Sequence, residues 1–517
     1  MGRSEAPAML KKKFRVYDQD QQYLVPPDIR DWVHEDDFAR FIDDLVRSLD
    51  LSKFEKFHET ATGQPPYDPA MMLKIILHCF CNGVFSSRKM ERATYSDLGV
   101  RFLAANQHPN YSSFCLFRQR HLKAIDHLFI QIVSLCWQMG LVKLGQVAID
   151  GTIIKANASK SRNVLGEDLD ELIATAEALT KDLTEKWQQA DADDEKAQAE
   201  IPDKLKKAKT RLESLQNAKS VAQKHAKAAY NKKLAALESK SPEELAELAQ
   251  AEEQQAIEQE SGVELGQVRK HLQLSQSDLA AKTGIPQPRL SKLEIGKSYP
   301  SDEEKALLRS ALHVDNICFG KPNPKLKSAK APELKIQNFV NTTDPDSPVI
   351  SRLGKGTVQG YNSQLAVDAE THIILGLMVS RNTSDHNNLL PMLDELEGTG
   401  CRNFRQLLAD AGYYSKKVIL ELRRLGIDAY IPPDRLRGPS TALNPCPIRE
   451  EMRAKVSTEQ GKAARKNRSS SVEPVNGRLK TGLGFTTYLT RGVENVRSEL
   501  TLCALAHNVL KMFSRWK

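Results

Sequence analysis

The sequence predicts an α/β sheet domain that is interrupted after its first strand by an all-α insertion and preceded by an all-α N-terminal domain. Three observations predict this. Short apolar runs at Val147-Ala148-Ile149, Gln364-Leu365-Ala366-Val367, Ile373 to Val379, Gln406-Leu407-Leu408 and Ala429-Tyr430-Ile431 read as buried strands. Helical stretches from Leu389 to Leu396 and from Val418 to Leu425 alternate with the later strands, as a layered α/β domain requires. Between the first strand and the rest, Glu167 to Ser261 contains no glycine and only two prolines, Pro202 and Pro242, in a background of Ala, Glu, Lys, Leu and Gln. Such a composition favours long helices with a thin apolar seam, a hairpin or coiled coil, and disorder of part of it is the alternative.

The N-terminal part is helical for its own reasons. Phe38, Phe41, Ile42, Leu45, Val46 and Leu49 recur at helical spacing, and Met71 to Phe85 reads as a buried helix after Pro65-Pro66 and Pro69. Arg118, Arg120, His121 and Lys123 lie close to Tyr111, Phe114 and Phe117, a mixture that suits either DNA contact or a solvated helix face. The expected domains are 1–145, a helical DNA-binding domain; 146–160 with 340–517, the discontinuous sheet domain; 161–261, the long helical insertion; 262–320, a compact helical unit; and 321–339, a linker. A chain of 517 residues accommodates this number at roughly 100–200 residues per domain.

Composition narrows the class. Charged residues make up 27% and apolar residues 40%, with a formal net charge of +8. From Arg449 onward there are fourteen Lys and Arg against six Asp and Glu, which points to a polyanionic partner or a solubilising surface. The eight cysteines form no CxxC pair, so neither a zinc framework nor a disulfide scaffold is expected, and a cytoplasmic location is. The Lys11-Lys12-Lys13 run has no apolar segment behind it, so no signal peptide is expected. Met71 to Phe85 is interrupted by Lys74, His78 and Asn82 and is too short to span a membrane.

Three acids are candidates for chemistry. Asp150 and Asp410 each follow a buried strand, and each precedes glycine, at Gly151 and Gly412. An acid closing a strand is ordinarily a turn or cap residue. It is also a suitable donor for a hard divalent ion, which prefers carboxylate oxygens and open positions for water and substrate. Two such ions, about 3.5–4 Å apart, accelerate phosphodiester cleavage by activating the attacking oxygen and stabilising the leaving one. Glu473 reads as the third residue of a capping box beginning at Ser470. That reading places Pro474 where a backbone N–H should be bonded, so a helix starting one residue later is favoured. Glu473 and Lys480 then lie two turns apart on one face. Asp368 reads as a hairpin turn residue. Asp385 or Ser384 reads as a helix cap, with His386 beside it.

The motifs in order resemble the DDE transposases of bacterial insertion sequences, the branch with a helical N-terminal domain and a ribonuclease H-like catalytic fold. The stretches that carry the resemblance are YDPAMMLKIILHCFCNGVFSSRKMER from Tyr67, AIDGTIIKANAS from Ala148, GYNSQLAVDAETHII from Gly360, LLADAGYYS from Leu407 and VEPVNGRLKTGLGF from Val472. The resemblance implies that Asp150, Asp410 and Glu473 bind two Mg²⁺ or Mn²⁺ ions and that Lys480 joins them in catalysis. It implies cleavage of double-stranded transposon ends and transfer to target DNA by a homodimer associated with the bacterial nucleoid. Arg465, Lys466, Arg468, Arg478 and Lys480 would contact DNA. Two departures stand out: 463–468 carries no tyrosine, and Asn476 stands where many relatives have an aromatic residue. The alternatives are a DNA-binding regulator without catalysis and a metal-dependent nuclease without strand transfer.

Within the insertion, 268–312 resembles a lambda-repressor/Cro-type helix-turn-helix. Ser275 caps a helix bearing Leu279 and Ala280, Gly284 makes the turn, Ile285 plugs the core, and a second helix carries Leu290 and Leu293. In that geometry the second helix enters the major groove. Gln287, Arg289, Ser291 and Lys292 would face the bases, with Gln276 at the phosphate backbone. The alternative is a small helical bundle for protein contact.

Overall fold

Strands covered on both faces can carry continuous apolar runs, and the central strands of this protein do so at Val147-Ala148-Ile149 and Leu365-Ala366-Val367. The computed structural model describes residues 28–55, 66–189, 195–238, 263–294, 300–313, 317–318, 339–352, 356–433 and 446–516. Nearly all of the expected linker, and the Lys11–Lys13 run, lie outside them. The chain forms two compact units, 1–162 with 343–517, and 163–342.

The sheet of the first unit comprises β1 (Gln146–Lys155), β2 (Val349–Arg352), β3 (Gly356–Asp368), β4 (Ile374–Ser380), β5 (Gln406–Leu408) and β6 (Asp428–Tyr430). Its order is β6-β5-β1-β3-β2, with β4 also paired to β3. β1 runs antiparallel to β3 and parallel to β5, and β6 continues parallel to β5. Val147, Ala148 and Ile149 are fully buried at the centre. β1 does not stop at Asp150, as the sequence reading has it. Pairing with β3 carries it on to Lys155, opposite Gly360, so Asp150 is mid-strand.

Asp368 does close the β3–β4 hairpin. One carboxylate oxygen accepts from the amides of Glu370 and Thr371, and the other from those of Lys143 and Leu144.

Helix Val493–Trp516 is buried along most of its length. It packs on β4 and on helices Leu122–Gln138 and Pro69–Cys81. One apolar core therefore runs from Ala39 to Met512, and the N-terminal helices belong to the same unit as the sheet. The apolar helix Pro69–Cys81, whose residues from Met71 on are nearly all buried, has no other way to cover so wide an apolar surface. Two members of the expected basic cluster turn inward. Arg118 is buried and donates to Ser87 Oγ at 2.7 Å, and His121 is buried against Phe54 and Phe117.

In the second unit, helices Leu169–Gln189 and Glu195–Glu238 pack together along a seam that includes Ala176, Leu215, Ala218 and Ala222. Small side chains make such a seam thin, as the composition requires. Helices Leu265–His271, Gln276–Thr283, Gln287–Glu294 and Asp302–Leu312 enclose Leu265, Val268, Leu279, Ile285, Leu290, Leu293, Leu308 and Leu312. Ser275 forms a capping box with Asp278, and Gly284 ends that helix at φ +69°. A left-handed residue at this position favours glycine, which has no Cβ to clash.

Candidate active site

The parallel register decides where the two aspartates meet. Ala148 is opposite Leu408, so Asp150 and Asp410, each two residues further on, lie side by side at the carboxyl end of β5. That end of an α/β sheet is where ligands are ordinarily bound. Asp410 also serves the turn expected of such a residue, since its Oδ1 accepts from Gly412 N–H at 2.8 Å.

Asp150 is the strained member. Burial pushes its carboxyl up to about 6, the charges of Asp410 and Asp385 add to that, and Arg468 opposes it. The Arg468 guanidinium lies 3.3 Å from Asp150 Oδ1, and Asn476 Nδ2 lies 3.4 Å from Oδ2. Arg468 and Asn476 are eight residues apart on helix Glu459–Gly477, and therefore share the face that meets β1. The amide oxygen of Asn476 is buried with no hydrogen-bond partner.

Asp385 is brought to the same place and does not cap a helix. Helix Leu389–Gly398 begins after Asn388 and has no side-chain cap. Asp385 Oδ1 instead accepts from Asn362 Nδ2 at 2.8 Å and Gln364 Nε2 at 2.7 Å, both on β3. Sequence reasoning passed over these residues. Their signal is two amide side chains two apart, on one face of a strand, which burial obliges to find partners.

Glu473 is placed differently from Asp150 and Asp410. The helix starts at Glu459 under a Thr458 cap, so neither reading of a start near Ser470 holds; Glu473 and Pro474 are interior and exposed. Five residues of π-helix follow, Arg478–Gly482, which displaces Lys480 from the expected α-helical face. Among the described residues, Glu473 makes no hydrogen bond or ion pair with Asp150 or Asp410, and no three His, Cys, Asp or Glu side chains stand close enough to hold one ion. Lys480 Nζ donates to the Ile153 carbonyl of β1 at 3.1 Å. Arg465 and Lys466 are exposed. Arg478 is half-buried, within electrostatic reach of His507 and Lys511.

A family model described as a transposase DDE domain matches residues 340–509, and one described as a transposase domain matches 27–120. The chain is a DDE transposase. A helix-turn-helix model matches 265–315 of this transposase, so DNA binding belongs to it as well. No curated protein and no solved structure matches the chain. A DDE domain implies a ribonuclease H-like fold, and the sheet of the transposase is mixed, with β1, β2, β3 and β4 joined by antiparallel pairing and β5 and β6 added parallel to β1. DDE domains use divalent metal ions. The donors are of the type such an ion prefers: Asp150 within β1, Asp410 just past the end of β5, and an unpartnered amide oxygen on Asn476.

In the helix-turn-helix of the transposase, Gln287 and Lys292 are exposed and Ser291 is half-buried. Arg289 forks onto Glu304, with bonds of 2.9 and 2.8 Å, and Gln276 donates to Glu294 at 2.7 Å. Both are thereby turned toward the domain's own carboxylates. Among the described residues of the transposase, no helix is long and apolar enough to cross a membrane.

Space at Gly151 is a requirement of the site. A Cβ there would sit 2.5 Å from Asp385 Oδ1 and 2.9 Å from Asn362 Oδ1, and would overlap Gln364 Nε2. Gly151→Ala is expected to displace Asp385 and lower metal-dependent cleavage about 10²-fold, the usual cost of a misplacement near 1 Å. Single-turnover cleavage rates check this, and an unchanged rate would show that the amide cluster has room to move.

Proposed function

We propose that Asp150, Asp410 and Glu473 are the metal-binding carboxylates of this transposase and that they act in cleavage of transposon-end DNA and strand transfer to a target. The single observation that supports this most is the register placing Asp150 and Asp410 side by side. Glu473 is drawn in by its place on the helix whose Asn476, one turn later, reaches Asp150. Two Mg²⁺ or Mn²⁺ ions, when bound, would supply the charge that activates the attacking oxygen and stabilises the leaving one. Asp150, within β1, and Asp410, in the turn that follows β5, would fix those positions. Lys480, anchored over β1, is suited to hold a phosphate of the substrate, and Arg468 to balance Asp150 until DNA arrives.

We read 163–342 as an insertion into the ribonuclease H-like domain, with a helix-turn-helix that binds duplex DNA and a homodimer holding two ends. Exposed Arg465 and Lys466 would bind DNA backbone. Gln287 and Lys292 are the residues best placed to touch DNA from the second helix. Gln287→Ala is expected to cost about 1–3 kcal/mol of sequence discrimination, and Lys292→Ala to weaken binding at all sequences alike. Binding titrations on cognate and scrambled ends check both.

The function is tested by cleavage and joining of cognate ends with Mg²⁺, comparing the wild type with Asp150→Ala, Asp410→Ala and Glu473→Ala. Undiminished strand transfer in any one removes that residue from the set. Cleavage without joining in the wild type would favour the nuclease reading instead.

A further inference from the structure

The network around Asp385 has a polarity that hydrogen-bond chemistry fixes. Tyr413 is buried, and its hydroxyl donates to Gln364 Oε1. Burial and the charges of Asp385, Asp150 and Asp410 hold the Tyr413 proton in place. With its oxygen so occupied, Gln364 must point its NH₂ at Asn362 Oδ1, 2.9 Å away, and at Asp385 Oδ1. Asn362, accepting through its own oxygen, must in turn direct its NH₂ at Asp385 Oδ1. Every member is thus set to present donors to one oxygen of one carboxylate. A carboxylate oxygen is a fitting acceptor for two such donors.

The other oxygen lies on the Asp410 side, beside Gly412. A Cβ built on Gly412 would lie 2.9 Å from Asp410 Oδ1 and 3.5 Å from Asp385 Oδ2. No described group donates to Asp385 Oδ2, and among the described residues neither Asp385 nor Asp410 has an ion-pair partner. Arg468 balances Asp150 alone. Two uncompensated carboxylates, Asp385 and Asp410, therefore flank Gly412. A group whose orientation is enforced by a tyrosine and two amides has the second-shell support typical of a metal ligand. Such support is absent from a solvated loop acid.

We propose that Asp385 is a further metal-binding carboxylate of this centre, with Oδ1 held by Asn362 and Gln364 and Oδ2 presented to a divalent cation. The inference rests on the reading of Asp150 and Asp410 as metal ligands. It gives a role to three motif residues the triad leaves unused, Asn362, Gln364 and Tyr413.

Mn²⁺ binding to the full chain without DNA, followed by electron paramagnetic resonance and calorimetry, tests it. Asp385→Asn is expected to weaken Mn²⁺ at least about tenfold, as losses at metal-site residues do, with the melting temperature in EDTA close to the wild type. Asp385→Glu, which keeps a carboxylate, is expected to bind Mn²⁺ more tightly than Asp385→Asn. Asp410→Asn serves as the reference. Wild-type affinity in Asp385→Asn with lost affinity in Asp410→Asn overturns the proposal and leaves the site reading standing. Wild-type affinity in both variants overturns the site reading and the proposal together. Equal weakening by Asn and Glu at 385 assigns Asp385 to loop structure and overturns the proposal.

Discussion

Asp410→Asn is expected to slow end cleavage and strand transfer about 10³-fold while leaving the fold and the binding of end DNA intact. Charge stabilisation by a bound ion supplies several kcal/mol to a phosphoryl transition state, and each 1.36 kcal/mol is a factor of ten. Losing one charged ligand is thus equivalent to about 4 kcal/mol of that stabilisation. Asparagine is the informative replacement because its oxygen can still accept from Gly412 N–H, the bond that shapes the turn. Asp150→Asn should have an effect of the same size on the rate but should stabilise the metal-free fold, because it removes a buried charge. Single-turnover kinetics with labelled ends, gel-shift titrations and thermal melts in EDTA separate these contributions. A lost rate with an equally large drop in melting temperature would assign Asp410 to the turn and not to the chemistry.

The strands were legible because each is a short apolar run, and the pairing of Asp150 with Asp410 was legible because each closes the same kind of run. What single residues do not reveal is register. Asp150 reads as a strand terminus from its neighbours, yet β3 continues to pair with β1 through Lys155, and only β5 stops there. Glu473 was misplaced in its helix for a related reason. A proline normally marks a first turn, but here the helix is held by its Thr458 cap and by burial of Ala464, Val472 and Val475, which outweighs one missing hydrogen bond at Pro474. Asp385 reads as a cap because Asp commonly is one, whereas its partners lie on β3, more than twenty residues away, where local sequence carries no information. Arg289 shows the same limit: its place on the second helix is readable, and its pairing with Glu304 across the domain is not.

The contribution of Asp150 to the stability of the metal-free transposase is expected to fall as pH rises from about 4 to about 6. In the folded chain burial holds its proton up to about 6, against an ordinary value near 4. Between these values the folded state binds more protons than the unfolded state, so stability falls with rising pH, and it levels off above about 6. Two pH units correspond to about 3 kcal/mol for a group whose side chain is 21% exposed. Arg468 reduces this cost, and Asp410 and Asp385, facing the same carboxyl, increase it. Burial raises Asp126 and Asp344 as well, so the total slope is shared. The difference between the wild type and Asp150→Asn isolates the one group. Urea unfolding in EDTA at several pH values should give curves that diverge between about 4 and 6, with the variant the more stable at neutral pH. A bound cation needs the ionised carboxylate, so apparent Mn²⁺ affinity should climb about tenfold per pH unit below about 6 and then flatten. Parallel stability curves for wild type and variant would show that Asp150 is solvated in the metal-free protein, and the pH dependence of metal binding would then have to originate at another carboxylate.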